Sequence, residues 1–209
     1  EGDLIGYDMA FLSDMDGDGG AELLVGAPRN DDGGSNAGKT YLVYSSSLSG
    51  YDGSSSNIND IAEYTFIGES ATDHSGASVA NAGDVNGDGY DDILIGAPRN
   101  SDAESRAGKV YLILSSSLGT TSEIELSDAD YAFTGESAGD IFGIALGSAG
   151  DVNGDGLDDI IVGAPNYDRA DGSGFDHGAA YVIVTPNVCN TAPSGTEISI
   201  SPDEPGAGD

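Results

Sequence analysis

Apolar residues along this chain come in short bursts separated by longer polar stretches. Glu22 to Val25, Asp92 to Ile95 and Asp159 to Val162 are brief Leu, Ile and Val runs closed by Gly-Ala-Pro. Thr40 to Tyr44, Val110 to Leu114 and Tyr181 to Val184 combine aromatic and branched residues. Runs of this length and make-up, bounded by turn formers, predict strands. Two further kinds of segment recur with them. Gly6 to Leu12, Gly76 to Ala82 and Gly143 to Ser148 are rich in small residues, and YTFIGES at Tyr64 to Ser70 returns as YAFTGES at Tyr131 to Ser137. No window of 11 residues carries a helical period.

The recurrence is a threefold internal repeat. DMDGDGGAELLVGAP (Asp14 to Pro28) matches DVNGDGYDDILIGAP (Asp84 to Pro98) and DVNGDGLDDIIVGAP (Asp151 to Pro165), and GKTYLVYSSSL at Gly38 matches GKVYLILSSSL at Gly108 and a looser GAAYVIVTP at Gly178. The Gly38, Gly108 and Gly178 starts are 70 residues apart, whereas Asp14 to Asp84 is 70 and Asp84 to Asp151 is 67. The differences fall in polar stretches around 50–59 and 166–177, as insertions in surface loops do. Each repeat therefore offers four strands: a small-residue strand, an acidic loop, an apolar strand ending in Gly-Ala-Pro, a YLVY-type strand and a YTF-type strand. Four antiparallel strands per repeat make a propeller blade, and small residues suit the crowded inner strand. The expected fold is all-β, with three four-stranded antiparallel β-propeller-type blades forming a partial or open propeller. Three blades do not close a ring, which takes four to eight. The repeats span about 1–70, 71–137 and 138–185. Residues 186–209 read as a Pro/Ser/Gly-rich extended tail, either a linker or the start of a following domain. Within it, EISIS at Glu197 to Ser201 is a strand that either begins that domain or closes the third blade.

Charge narrows the function. The chain of 209 residues has 37 acidic and 6 basic side chains, a net charge of -31. Too few Lys and Arg are present to form a nucleic-acid-binding patch, and no apolar stretch approaches the ~18 to 20 residues of a membrane span. No nucleic acid partner and no membrane insertion are expected. The single Cys189 rules out an internal disulfide framework and leaves a free thiol or a bond to a cysteine elsewhere.

Part of the acidity is concentrated in the repeated loops. Oxygen-bearing side chains stand at loop positions 1, 3, 5 and 9: Asp14, Asp16, Asp18 and Glu22; Asp84, Asn86, Asp88 and Asp92; Asp151, Asn153, Asp155 and Asp159. Alternate residues of a tight loop can turn oxygens inward around a hard cation, while position 7, here Gly20, Tyr90 and Leu157, supplies a main-chain carbonyl. Gly19, Gly89 and Gly156 at position 6 allow the sharp turn. Position 12 is Val25, Ile95 or Val162 inside a strand, so the loops are not EF-hands. Asp, Asn and Gly also suit turns without any metal, but three loops in one register favour a cation, and the number of oxygens favours Ca2+ over Mg2+, up to three ions in all. The first loop is the least regular, with Glu22 in place of Asp and Gly20 in place of a bulkier residue.

These motifs resemble the FG-GAP repeat family, the blades of the integrin alpha-subunit β-propeller and of many secreted microbial proteins. The resemblance covers roughly residues 3 to 185. The GAP element is intact at Gly26-Ala27-Pro28, Gly96-Ala97-Pro98 and Gly163-Ala164-Pro165; the FG element is Phe142-Gly143, with Ser75-Gly76 and Ile5-Gly6 as degraded copies. The resemblance implies a calcium-binding adhesion or structural scaffold module, secreted or at the cell surface and without catalysis, meeting other protein chains or domains through blade edges or loop faces. Two alternatives stay open: a self-assembling subunit of a surface filament or a propeller completed in trans, and an accessory domain of a larger secreted hydrolase.

Other features read more plainly. Gly135-Glu136-Ser137-Ala138-Gly139 has the GxSxG spacing of a nucleophile elbow, but glycine-rich sequence follows where a helix is required. The Ser45 to Ser47 and Ser115 to Ser117 runs read as solvated loop, and Arg29, Arg99 and Arg106, with Lys39 and Lys109, as partners for surplus carboxylates.

Overall fold

The computed structural model describes residues 2–48, 57–168 and 177–185, together with the backbone of 197–200. Its strands are β1 (Met9–Leu12), β2 (Glu22–Ala27), β3 (Lys39–Val43), β4 (Tyr64–Ile67), β5 (Ser78–Gly83), β6 (Asp92–Ala97), β7 (Lys109–Ile113), β8 (Glu123–Glu125), β9 (Tyr131–Thr134), β10 (Ala145–Gly150), β11 (Asp159–Ala164), β12 (Ala179–Ile183) and β13 (Glu197–Ile200). They form three sheets in the orders β1-β2-β3-β4-β8, β5-β6-β7-β9 and β10-β11-β12-β13. Each repeat is thus one antiparallel blade, as its pattern predicts. The described helical segments are short 3-10 turns such as Ser45–Leu48 and Ser115–Ser117. Of the two readings of EISIS, the structure takes the second: β13 pairs antiparallel with β12, Ala180 opposite Ile200. The insertions around 50–59 and 166–177 fall largely, and the rest of the tail with Cys189 entirely, outside the described residues.

One strand is not announced by the sequence. Glu123–Glu125 lies in the connection from β7 to β9, yet it pairs parallel with β4 of the neighbouring blade, Phe66 opposite Ile124. The Thr65 amide donates to the Ser122 carbonyl at 2.7 Å. Blade 2 thereby covers the otherwise bare edge of blade 1, where unpaired main-chain groups invite association. The next residue, Leu126, is buried with the cluster between the two blades.

Face-to-face packing explains why the central strands are apolar throughout rather than alternating. One face of blade 2 places Val79, Ile93, Ile95 and Tyr111 against Leu12, Leu24, Leu42 and Phe66 of blade 1. Its other face places Leu94, Val110 and Leu112 against Phe142, Ile160, Val162, Tyr181 and Ile183 of blade 3. With both faces covered, every position of β6 is buried. Among the described residues, blade 1 has such a partner on one side only. On the other, Met9 is 59% and Phe11 70% exposed, at the positions where blade 2 has Val79 and Asn81.

The repeated glycines sit where blades come closest. Within each repeat the FG glycine amide donates to the GAP glycine carbonyl: Gly6 to Gly26 at 2.9 Å, Gly76 to Gly96 and Gly143 to Gly163 at 3.0 Å. Across the blade junction, a Cβ on Gly26 would strike the Gly76 carbonyl oxygen, and one on Gly96 the Gly143 carbonyl oxygen. The two halves of the motif are therefore one contact between backbones that no side chain can enter. Gly96→Ala forces those backbones apart and should destabilise by about 1–3 kcal/mol, the range for overpacking. Gly119→Ala, with nothing within 4 Å of its Cβ, serves as the control in thermal melts; equal melting temperatures for the two variants would contradict this account.

Candidate metal centre

Each acidic loop joins the first two strands of its blade and is shaped by its own carboxylates. Asp14 at position 1 accepts from the Gly17 and Gly19 amides at 2.7 and 2.9 Å. Asp84 accepts from Gly87, Asp88 and Gly89, and Asp151 from Gly154, Asp155 and Gly156. Position 3 caps position 5, through Asp16 to the Asp18 amide, Asn86 to Asp88 and Asn153 to Asp155. Position 5 accepts from position 7 in turn, Asp18 from Gly20, Asp88 from Tyr90 and Asp155 from Leu157. Gly19, Gly89 and Gly156 have φ of +89°, +92° and +93°, the left-handed conformation predicted for position 6.

Position 9 opens the second strand and is fully buried in all three loops. Asp92 uses both oxygens, accepting from Val85 at 3.1 Å and from Ser115 at 2.8 Å; Asp159 does the same with Val152 and Thr185. Glu22, one methylene longer, accepts from the Met15 amide at 2.8 Å through Oε2, while its buried Oε1 makes no hydrogen bond of standard geometry, the Ser45 amide lying only near enough to favour the charged carboxylate. The first loop also differs in convergence. Oxygens of Asp14, Asp16, Asp18 and Glu22 all lie within 4.8 Å of one another, and among the described residues this is the one such acidic group. Loops 2 and 3 have Asn at position 3, so each brings three carboxylates rather than four.

Burial and hydrogen bonding move these acids in opposite directions. Desolvation raises Glu22, with the Asp16 and Asp14 charges adding to it and the Met15 and Ser45 amides opposing it. Burial pushes Asp92 up to about 7 against the pull of the Ser115 and Val85 amides. Asp151 lies on the surface, and the Gly156 amide leads several that hold it below the ordinary range.

Several contributors were not legible as such. The Ser45 hydroxyl donates to both carboxylate oxygens of Asp18 at 2.7 Å, and the Ser46 hydroxyl to Asp16 at 2.8 Å. The serine run after β3 thus forms a wall of the first loop rather than only solvated chain. The Ser45 side chain occupies the space that a Cβ on Gly20 would take. Asp91 and Asp158, at position 8, reach the previous blade: Asp91 accepts from the Ser13 amide at 2.7 Å and Asp158 from the Asp84 amide at 3.0 Å. Acidic loops of successive blades are therefore tied at their entry points. Identical spacing in repeats 2 and 3, against Ala21 in repeat 1, was the available signal.

Of the basic residues read as partners for carboxylates, the lysines fill that role. Lys39 pairs with Asp32 at 2.8 Å, and Lys109 with Glu69 and Asp102. Arg29, Arg99 and Arg106 form no ion pair among the described residues. Ser137 of the GxSxG stretch is exposed in a turn that leads to strand β10, so the strand-turn-helix of a nucleophile elbow is not formed.

Three repeated blades, each with an acidic loop between its first two strands, define a β-propeller-type repeat protein. The FG-GAP repeat model matches residues 5–43, 75–113 and 142–183, and the chain belongs to that family. It is 34% identical over 175 residues to integrin alpha-PS2 of Drosophila melanogaster, covering 81% of this chain and 11% of that protein. To integrin alpha pat-2 of Caenorhabditis elegans it is 34% identical over 197 residues, 87% of this chain and 14% of that one. To human integrin alpha-6 it is 34% identical over 142 residues, 68% and 11% respectively. The chain thus spans roughly an eighth of the curated relatives it matches. No helix among the described residues is long and apolar enough to cross a membrane.

Glu22, Asp73, Asp92 and Asp140 are all raised, with burial the first cause in each. Folding then takes up protons between the ordinary carboxylate range and the raised value, so their contribution is present at low pH and is lost as pH rises through the folded values. For Asp92 that loss begins in the ordinary carboxylate range and is complete just above about 7. In chelator, the urea midpoint should be higher at pH 5.5 than at pH 8; a midpoint that rises with pH would contradict the assignment.

Proposed function

We propose that the chain is a calcium-binding, non-catalytic module of an extracellular adhesion or structural scaffold protein. The observation that carries the reading is the first loop: four carboxylates converge, and one of them, Glu22, is fully buried with an oxygen that makes no hydrogen bond of standard geometry, in a site already rich in negative charge. An unpaired buried acceptor of this kind is expensive to keep, and a hard cation satisfies it. Asp14, Asp16, Asp18 and Glu22 would hold the ion with the Gly20 carbonyl. The corresponding sets are Asp84, Asn86, Asp88, Asp92 and the Tyr90 carbonyl, and Asp151, Asn153, Asp155, Asp159 and the Leu157 carbonyl. Bound Ca2+ supplies positive charge that relieves carboxylate repulsion and couples the loop to the strand after it.

The chain's own residues do the rest. Amides of positions 4 to 7 hold the loops curled in advance, and Asp91 and Asp158 tie their loops to the preceding blade. The affinities typical of extracellular modules, about 0.1 to 1 mM, fill such sites outside cells and leave them empty in cytosol, which supports a secreted or cell-surface location. The integrin alpha relatives support an adhesion setting. The exposed Met9 and Phe11 face of blade 1 favours a further blade packing there, from the same protein or from a partner.

Calcium at a hundredfold excess over its dissociation constant should add about 2.7 kcal/mol per site, a rise of about 5–10 °C in melting temperature for a chain of this size. Chelator should reverse it, and magnesium at the same ionic strength should reproduce little of it. Glu22→Gln should remove one ion from the calorimetric stoichiometry. A melting temperature indifferent to calcium and chelator would refute the proposal.

A further inference from the structure

A second charged site lies at the opposite end of the sheets from the acidic loops. Strand β2 runs from Glu22 at its loop to Ala27, and β6 from Asp92 to Ala97, a length of roughly 17 Å. Arg29 and Arg99 follow directly after the two GAP motifs. With Arg106, His74, Asn36, Thr72 and Ser105 they line an open pocket of about 420 Å³ between blades 1 and 2. In a chain with 37 acids and 6 bases, half of the Lys and Arg residues are gathered here, and no acidic side chain lines the pocket. Both lysines are ion-paired; these three arginines, among the described residues, are not. The guanidinium groups lie near enough to His74 to oppose its protonation, adding to the effect of its burial.

The fold does not require these charges. The repeat position of Arg29 and Arg99 is Asn166 in the third repeat, that of Arg106 is Asn36 in the first, and that of His74 is Ile141 in the next junction. His74 and Ile141 nonetheless share the same backbone, with φ of 57° and 51°, and so do Asn36 and Arg106, with 52° and 55°. Main-chain bonds hold the pocket walls: His74 N to Asn36 O at 3.1 Å, Thr72 N to Ser35 O at 2.8 Å and Arg99 N to Asp73 O at 3.2 Å. Thr72, branched at Cβ, is held at φ 73°, a strained conformation of the kind that collects at ligand sites.

We infer that this pocket binds a compact tetrahedral oxyanion, a sulfate or phosphate group, through Arg29, Arg99 and Arg106. Guanidinium forks match such oxygens bidentately, and Thr72, Ser105 and Asn36 add polar groups around them. Free sulfate or phosphate, with up to two negative charges, offsets more of the triple positive charge than a carboxylate does, and a sulfate ester, with one charge, still offers three oxygens to the guanidinium forks against a carboxylate's two. The surrounding negative surface repels an extended polyanion, so the ligand presents one isolated group, either a free ion or a single ester on a sugar.

Calorimetry on the calcium-loaded 209-residue chain at fixed ionic strength, with inorganic sulfate, galactose 6-sulfate and acetate, tests this. Sulfate or its ester should bind one to one and acetate far more weakly; tighter binding of the ester identifies a sugar-borne group, and equal binding a free ion. Arg99→Gln should weaken binding by about tenfold or more, the loss of one charge-assisted hydrogen-bonding partner. Thr120→Glu, which lowers net charge equally on an exposed residue outside the pocket, should leave it within about twofold, allowing for long-range charge alone. Equal affinity in Arg99→Gln and the parent chain, acetate binding as tight as sulfate, or no binding of any probe would overturn the inference. Because both variants retain the acidic loops, their calcium-dependent melting reports separately on the cation sites.

Discussion

Adjacent blades meet backbone to backbone, and the rest of the structure depends on that contact. At the junctions the GAP glycine of one blade lies under the FG carbonyl of the next, leaving no room for a side chain. This closeness brings Leu24 and Ile93, or Leu94 and Ile160, into shared clusters, and a single four-stranded sheet has no comparable core of its own. It also lets loops from different blades touch, as Asp91 and Asp158 do. The apolar faces stabilise the blades only in company, which is why the exposed Met9 and Phe11 read as a docking face rather than as stray surface hydrophobes.

At one end of the sheets the problem is excess negative charge. The acidic loops use main-chain amides to hold carboxylates in place, and this lowers Asp151. Position 9 has no such latitude: as the first residue of a central strand it is buried, which raises Glu22 and Asp92. A loop that is curled in advance around a buried, desolvated carboxylate is the feature on which the proposed cation site rests. At the other end the balance inverts, with three arginines sharing a pocket and no carboxylate lining it. One strand thus separates two sites of opposite sign on a molecule of net charge -31.

Much of this was legible because the repeat triples every signal. The strand order, the loop positions and the glycine at each sharp turn follow from three aligned copies. What escaped notice was whatever one copy does alone or one blade does to another. Glu123–Glu125 is too short to announce a strand, and its partner is in the preceding blade. The Ser45 hydroxyl acts through Asp18, a residue 27 positions away. Glu22 in place of Asp made the first loop the least regular of the three; only the three-dimensional arrangement reveals that it converges with three other carboxylates and keeps a buried oxygen outside standard hydrogen-bond geometry. The arginines looked like ordinary charge balance until their distances to the acids were known.

The central claim is that a cation completes the acidic loops and, through them, fixes the blade junctions. Amide hydrogen exchange with calcium and with chelator tests it most directly. The account predicts that calcium slows exchange at Met15, Gly17 and Gly19, whose amides bond Glu22 and Asp14, and at Ser13 and Asp84, which bond Asp91 and Asp158 across the junctions. Unchanged exchange at all five amides at saturating calcium would contradict it.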